Sequence, residues 1–356
     1  MSALRTTGLH HVTLVARSAQ RTLDFYRDLL GLTLVKRTVN FDDPKAYHLY
    51  FGDPSATPGT LITFFEWPVA PSGRFGVGGV HHIAFGTATR ETLLMWKRWL
   101  QGRGVGVTGP LDRGWFTSIY FRDPDGQVLE IATLGPGYTV DEPFEQLGSR
   151  LIEPSPAQLP GTRNERELFA MQHPEPIDAI TAEMSLTGLH HVTGMTSDLS
   201  RMGDFLEEAL GLQLVKRSVN QDDPDTLHSF WAATDSTTVL PRSSHTLFGW
   251  PPTAPRARGG VGQTHHVAFR VRDGEEQLAW RDHLLAMELD VSPVMDRCYF
   301  TSLYFRAPDG LLVELATDSP GFAIDEPIGS LGHTLQLPPW LASQREEISS
   351  ALTPLG

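Results

Sequence analysis

The sequence predicts an α+β fold built from four repeated modules, each a strand, a helix and about three further strands, assembled into mixed sheets. Three observations carry this. The chain has 356 residues, too many for one ordinary core and comfortable for two domains. It also repeats itself. Leu9-His-His-Val-Thr13 returns as Leu189-His-His-Val-Thr193, and Leu34-Val-Lys-Arg-Thr-Val-Asn40 returns at the same offset as Leu214-Val-Lys-Arg-Ser-Val-Asn220. Phe116-Thr-Ser-Ile-Tyr-Phe-Arg122 returns as Phe300-Thr-Ser-Leu-Tyr-Phe-Arg306, and Asp141-Glu-Pro143 as Asp325-Glu-Pro327, both at one slightly larger offset. Constant offsets of this kind mark a duplication, with a small insertion in the second copy. Finally, each copy divides again. An apolar alternation starts at His10-His11, His81-His82, His190-His191 and His265-His266, and these pairs hold eight of the 14 histidines.

Each element has a local reason. Ser18 can cap a helix carrying Leu23, Tyr26, Leu29 and Leu30 and stopped by Gly31. Thr89 can cap one carrying Leu93, Leu94, Trp96 and Leu100 and stopped by Gly102. Short β-rich runs follow at 32–39, 47–51 and 61–65, then at 117–122 and 128–133, the last two parted by the turn signal Asp123-Pro-Asp-Gly126. The expected organisation is one pair of modules over 1–150, a connector over 151–186 rich in Pro, Glu and Gln, a second pair over 187–335, and a tail over 336–356.

Composition narrows the function. The formal net charge is −13 and the basic residues are scattered, which argues against nucleic acid or an anionic membrane as partner and for a small molecule. No apolar run approaches the roughly 20 residues of a membrane span. The first residues lack a signal peptide's apolar core, so a cytoplasmic location is the default expectation. The single cysteine, Cys298, excludes an intramolecular disulfide and reads as a small core or pocket residue.

Strand alternation puts Leu9, His11 and Thr13 on one face and His10 on the other. Glu130, inside Val128-Leu-Glu-Ile-Ala132, and Glu314, inside Leu312-Val-Glu-Leu-Ala316, are carboxylates in apolar strands. Burial there requires a partner or a metal. Glu130 follows His82 at the same spacing as Glu314 follows His266, and both histidines are the second of their pair. Two imidazoles and a carboxylate on neighbouring strands form a facial triad, which leaves open positions on iron(II). Two groupings use the same six residues: His11-His82-Glu130 with His191-His266-Glu314 within the halves, or His11-His266-Glu314 with His82-Glu130-His191 across them.

These residues, with Asp296-Arg-Cys-Tyr-Phe-Thr-Ser-Leu-Tyr-Phe-Arg306, Tyr47-His-Leu-Tyr-Phe51 and Pro338-Pro-Trp-Leu341, resemble the vicinal oxygen chelate superfamily over nearly the whole chain. Within it they are most similar to ring-cleaving dioxygenases of the hydroquinone 1,2-dioxygenase type. The resemblance implies four βαβββ modules whose sheets curl into metal-binding half-barrels. It implies Fe(II), with Mn(II) as substitute, on His11, His266 and Glu314, which favours the grouping across halves. It places His10, His265, Arg297 and Tyr304 around the pocket as catalytic residues. His265 or His10 would exchange a phenolic proton, Arg297 would stabilise negative charge, and Tyr304 would hydrogen-bond an oxygen. The implied partners are a small aromatic diol and O2, in aromatic catabolism, with homo-oligomerisation open.

The chain departs from that pattern in having a complete second set. His82, Glu130 and His191 form another triad. Arg113 stands before Glu130 at the spacing at which Arg297 stands before Glu314, with Tyr120 matching Tyr304. This second triad is expected to hold a metal or to be a metal-free relic. Aromatic residues such as Trp115, Phe116, Tyr299 and Phe300 are candidates for pocket walls. Two rivals remain. A glyoxalase- or epimerase-like isomerase would want a fourth protein ligand, for which Glu66 is a candidate, although Gly249 stands at its repeat. A non-catalytic quinone- or drug-binding protein would not need buried carboxylates beside histidines.

Overall fold

A computed structural model describes residues 4–356. In chain order, the first module is β1 (Leu9–Ala16), α1 (Ala19–Leu23), β2 (Thr33–Asn40), β3 (Asp43–Gly52) and β4 (Leu61–Glu66). The second is β5 (Val80–Thr87), α2 (Arg90–Gly102), β6 (Thr108–Asp112), β7 (Thr117–Arg122) and β8 (Val128–Thr133). The connector contributes β9 (Leu151–Ile152) and α3 (Glu165–Ala170). The third module is β10 (Leu189–Thr196), α4 (Leu199–Leu210), β11 (Gln213–Val219), β12 (Leu227–Ala232) and β13 (Ser244–Gly249). The fourth is β14 (Thr264–Val271), α5 (Gly274–Ala286), β15 (Met295–Asp296), β16 (Phe300–Arg306) and β17 (Leu312–Pro320), and α6 (Arg345–Ala351) ends the chain. The fold is α+β with four βαβββ modules in curled mixed sheets.

The modules do not associate along the halves of the chain. One compact unit joins Leu9–Arg74 to Arg258–Gly356, and the other is Phe75–Ala257 with the short stretch ending at Gly8. We call them the terminal and the central unit. The terminal unit's sheet runs β15-β16-β17-β14-β1-β4-β3-β2, and the central unit's runs β6-β7-β8-β5-β10-β13-β12-β11-β9. Within each unit two modules meet through one antiparallel pair, β1 on β14 or β10 on β5. Each of those strands lies parallel to the last strand of its own module.

The two helix signals are met with differences at their ends. Ser18 accepts a hydrogen bond from the Arg21 N–H and starts α1, but α1 passes into a π-helical turn over Asp24–Leu29 before Gly31 reverses the chain at φ 71°. Thr89 and Thr92 form a reciprocal cap on α2. Gly102 is the last helical residue, and Gly104 takes the left-handed conformation. The weak strand β6 has no clear apolar alternation and is absent from the sequence reading.

Two repeated motifs meet in the core. Lys36 is fully buried on β2, and its Nζ lies 2.6 Å from both Asp325 Oδ1 and Glu326 Oε2. Lys216 does the same with Asp141 at 2.6 Å and Glu142 at 2.7 Å. A buried ammonium needs such partners, and each contact ties a strand of one module to the segment that follows the other module of the same unit.

Candidate metal centres

The terminal unit's centre stands on three adjacent strands. In register, His11 of β1 lies opposite Ala268 of β14, and Ala268 opposite Glu314 of β17, with Tyr304 of β16 opposite Glu314. Residues in register share a face, and His266 is two positions from Ala268 on the same face. The small Ala268 leaves space between the ligands. His11 Nε2 is 3.2 Å from His266 Nε2 and 3.5 Å from Glu314 Oε2, and His266 Nε2 is 2.9 Å from that oxygen. In the central unit His82 Nε2 is 3.2 Å from His191 Nε2 and 2.9 Å from Glu130 Oε2, and His191 Nε2 is 3.2 Å from that oxygen. The structure thus forms the groupings across halves and not those within them.

The histidine pairs explain the orientation. Pairing of β1 with β14 shifts between Leu9 and His11, a bulge that brings the neighbouring rings together despite strict alternation. In all four pairs the two Nδ1 atoms are 2.8 Å apart. The carbonyl of Thr317 takes the other N–H of His10, and that of Thr133 takes the other N–H of His190. The Nδ1 of His10 and of His190 must then accept, so His11 and His191 donate from Nδ1 and turn a bare Nε2 lone pair inward.

His11 and His191 therefore each face the carboxylate of their own cluster as acceptors. Glu314 Oε1 is taken by Ser302 Oγ, but buried Oε2 has no hydrogen bond, nor has either oxygen of Glu130. Ligands about 2.1 Å from a metal and at right angles stand about 3.0 Å apart. Both clusters fit a divalent cation by spacing and by their uncompensated oxygens.

The two centres differ in access. A cavity of about 430 Å³ reaches His11, His266 and Glu314, within the size range of small-molecule sites. Phe41, Phe65, Trp67 and Phe300 wall it. Arg297 donates from Nε to Tyr304 OH at 3.2 Å and from Nη1 to Asp42 Oδ2 at 3.1 Å, and all three line the cavity. Burial pushes the Tyr304 phenol up and out of the titrating range. His265 also lines the cavity, and burial brings it down to about 4, so its imidazole is neutral. His10 does not line the cavity. It is 1% exposed beneath Phe300 with both nitrogens engaged, so it orients His11 rather than meeting substrate.

Further residues join that were not read from sequence. His48 and Tyr50 on β3 line the cavity, linked by Tyr50 OH to His48 Nδ1 at 3.0 Å; His48 Nε2 bonds Thr63 Oγ1 at 2.9 Å. The repeat of His48 as His228 was the available signal. In the central unit Phe230 replaces Tyr50, and Arg113, which donates to Tyr120 OH at 2.9 Å, is buried. The connector closes over that arginine. Gln158 donates to the Asp112 carbonyl, and Arg163 binds Asp222, the repeat of Asp42, at 2.6 Å. Only about 40 Å³ is left beside Arg113 in that cleft.

The remaining candidates fall elsewhere. Glu66 accepts the Ala19 N–H at 2.7 Å and caps α1, so it is no fourth ligand. Tyr299 is core, with its hydroxyl on Asp325, and Cys298 is half-buried beside the same cluster. Trp115 and Phe116 line a separate cavity in the central unit. Among the described residues no helix is long and apolar enough to cross a membrane.

Comparison with known proteins agrees with this architecture. The chain is 34% identical over 356 residues to the Bacillus subtilis (strain 168) protein named "Putative ring-cleaving dioxygenase MhqA", covering 99% of this chain and 100% of that one. It is 29% identical over 364 residues to the chlorohydroquinone/hydroquinone 1,2-dioxygenase of Sphingobium indicum, covering 97% and 95%. A crystal structure titled as a putative dioxygenase from Bacillus subtilis superposes with a TM-score of 0.79 at 31% identity, covering 99% of both chains. The model of the Glyoxalase/Bleomycin resistance protein/Dioxygenase superfamily matches twice, over residues 8–131 and 188–315. With both halves matched and the whole length shared, the chain belongs to that superfamily.

Proposed function

We propose that the terminal unit is the active site of a non-haem iron(II) dioxygenase that opens the ring of a hydroquinone- or catechol-type diol. The observation that carries this is the bare Glu314 Oε2 beside two histidine Nε2 atoms on the floor of an aromatic-walled cavity. His11, His266 and Glu314 would hold the metal, Fe(II) or Mn(II), which would supply the Lewis-acid and redox chemistry that joins a phenolic substrate to dioxygen. Both oxygen atoms enter the product as a ring carbon–carbon bond breaks, so no external reductant is needed.

The protein's residues do the rest. Phe65, Trp67 and Phe300 grip the ring and exclude water. With His266 Nε2 given to a metal, His266 Nδ1–H would donate to His265 Nδ1, so neutral His265 would offer its Nε2–H to a substrate oxygen. Arg297 faces negative charge on the substrate, and its Nε occupies the Tyr304 oxygen so that the tyrosine's own hydrogen is free to point into the cavity. His48 and Tyr50 offer a second polar edge. We infer that His82, Glu130 and His191 hold a second metal that the connector screens from substrate.

Anaerobic purification followed by metal analysis and oxygen uptake tests this. Two metals per chain are expected, falling to one in Glu314→Ala and in Glu130→Ala, with oxygen consumption lost only in Glu314→Ala. No oxygen uptake by iron-loaded protein across catechols and hydroquinones would overturn the dioxygenase reading.

A further inference from the structure

The central unit has a cavity of about 530 Å³ that none of the six ligand residues line. The matching residues of the terminal unit are buried in its core. There Ala56, Leu61, Phe300 and Phe322 belong to one buried cluster. Three changes open the space. Ser244, opposite His191 in register, stands where Leu61 stands opposite His11. Tyr138 stands where Phe322 stands, and its hydroxyl is 3.0 Å from Ser244 Oγ. The loop ahead of the last strand is also longer, spanning 233–243 where the other unit spans 53–60.

The loop also brings in a cation. Two positions before Leu61 the chain is Gly59 at φ 87°, a left-handed conformation natural to glycine. Two positions before Ser244 the same conformation, φ 54°, is imposed on Arg242, where a side chain is disfavoured. Arg242 lines the cavity, half-buried, and donates to the Thr187 carbonyl at 3.3 Å. No carboxylate pairs with it among the described residues. A guanidinium without an acid, at the edge of a bowl walled by Trp115, Phe116 and Tyr138, is complementary to a flat ring carrying a negative group.

We propose that this cavity is a second ligand site, which binds a planar aromatic anion, a carboxylate or a phenolate, with its ring among the aromatic residues and its charge on Arg242. The proposal stands apart from the chemistry assigned to the terminal unit, because every residue concerned lies in the central one.

Titration calorimetry of the metal-loaded protein with 1-naphthoate, and with uncharged 1-naphthalenemethanol, tests it. Arg242→Gln is expected to weaken naphthoate about tenfold, the low end for a charge-assisted bond, and to leave naphthalenemethanol unchanged. Ser244→Leu copies the packed unit and is expected to remove binding of both at this site, with metal content and oxygen uptake retained. Identical naphthoate isotherms in wild type and Arg242→Gln would overturn the anion assignment. Unchanged binding in folded Ser244→Leu would overturn the site. Should Ser244→Leu not fold, Val239→Trp in the same lining loop replaces it.

Discussion

Replacing Lys36 with methionine isolates the contact that joins the first module to the end of the fourth. Lys36 has 0% exposure, and Glu326 has 6%. Methionine keeps the volume, so the cavity penalty is small. What remains is Glu326 without its ammonium, held by the neutral donors Gly332 N–H at 3.3 Å, Thr334, whose hydroxyl lies at 3.2 Å and backbone N–H at 3.4 Å, and the Gln336 side chain. Breaking a buried pair from one side costs about 3–5 kcal/mol. For a unit of this size that is a fall in melting temperature of roughly 6–20 °C, read by calorimetry as the transition of the terminal unit. Burial raises the Glu326 carboxyl, but Lys36 outweighs it and the net pKa lies below the usual value. A depressed carboxylate stabilises the fold above its unfolded pKa of about 4.3, and that contribution is lost as pH falls through the lower folded value. The gap between wild type and Lys36→Met should therefore narrow in acid, and Glu326→Gln added to Lys36→Met should recover at least half of the loss. A melting shift under about 2 °C at neutral pH, or no recovery in the double variant, would refute the reasoning.

Other outcomes follow from the same geometry. Arg297→Gln should lower kcat on a hydroquinone by about 100-fold, as for the loss of one preorganised donor, while metal content stays at wild-type level; equal turnover would remove Arg297 from the reaction. His10→Phe should weaken metal binding by about 10- to 100-fold through the lost Nδ1 contact to His11, read by competition with a chelator, with activity restored by excess iron. Arg163→Gln should speed chelator removal of the central unit's metal and leave the terminal unit's rate unchanged, which two-phase release kinetics would resolve.

Much of this was legible in the residues. Glu130 and Glu314 were out of place in apolar strands, and their equal spacing from His82 and His266 marked them as one device used twice. The role of His10 was not legible. Alternation put it opposite His11, and no glycine or proline stands between Leu9 and His11, where the bulge that joins their rings falls. The pairing of modules was hidden for another reason: both groupings use the same six side chains, so spacing alone favours neither. A pointer lay in Lys36 and Asp325-Glu326, two motifs from opposite ends that satisfy each other. His48 went unread because one histidine in a strand is usually core. The difference between Leu61 and Ser244 was obscured by the loop insertion, which breaks the constant offset just ahead of them.

The terminal unit is written at the two ends of the chain, and that sets an order of events during synthesis. The stretch Phe75–Ala257 leaves the ribosome in one piece and can close on itself. β1 emerges early and must wait for β14, its antiparallel neighbour. At about 5–20 residues per second, the roughly 250 residues between them take about 10–50 s. Through that time His10 and His11 sit on an unpaired edge open to other strands. A nascent chain of this design needs shelter for the segment ending at Arg74 until the segment beginning at Arg258 arrives, and iron offered before then would find His11 without His266 and Glu314.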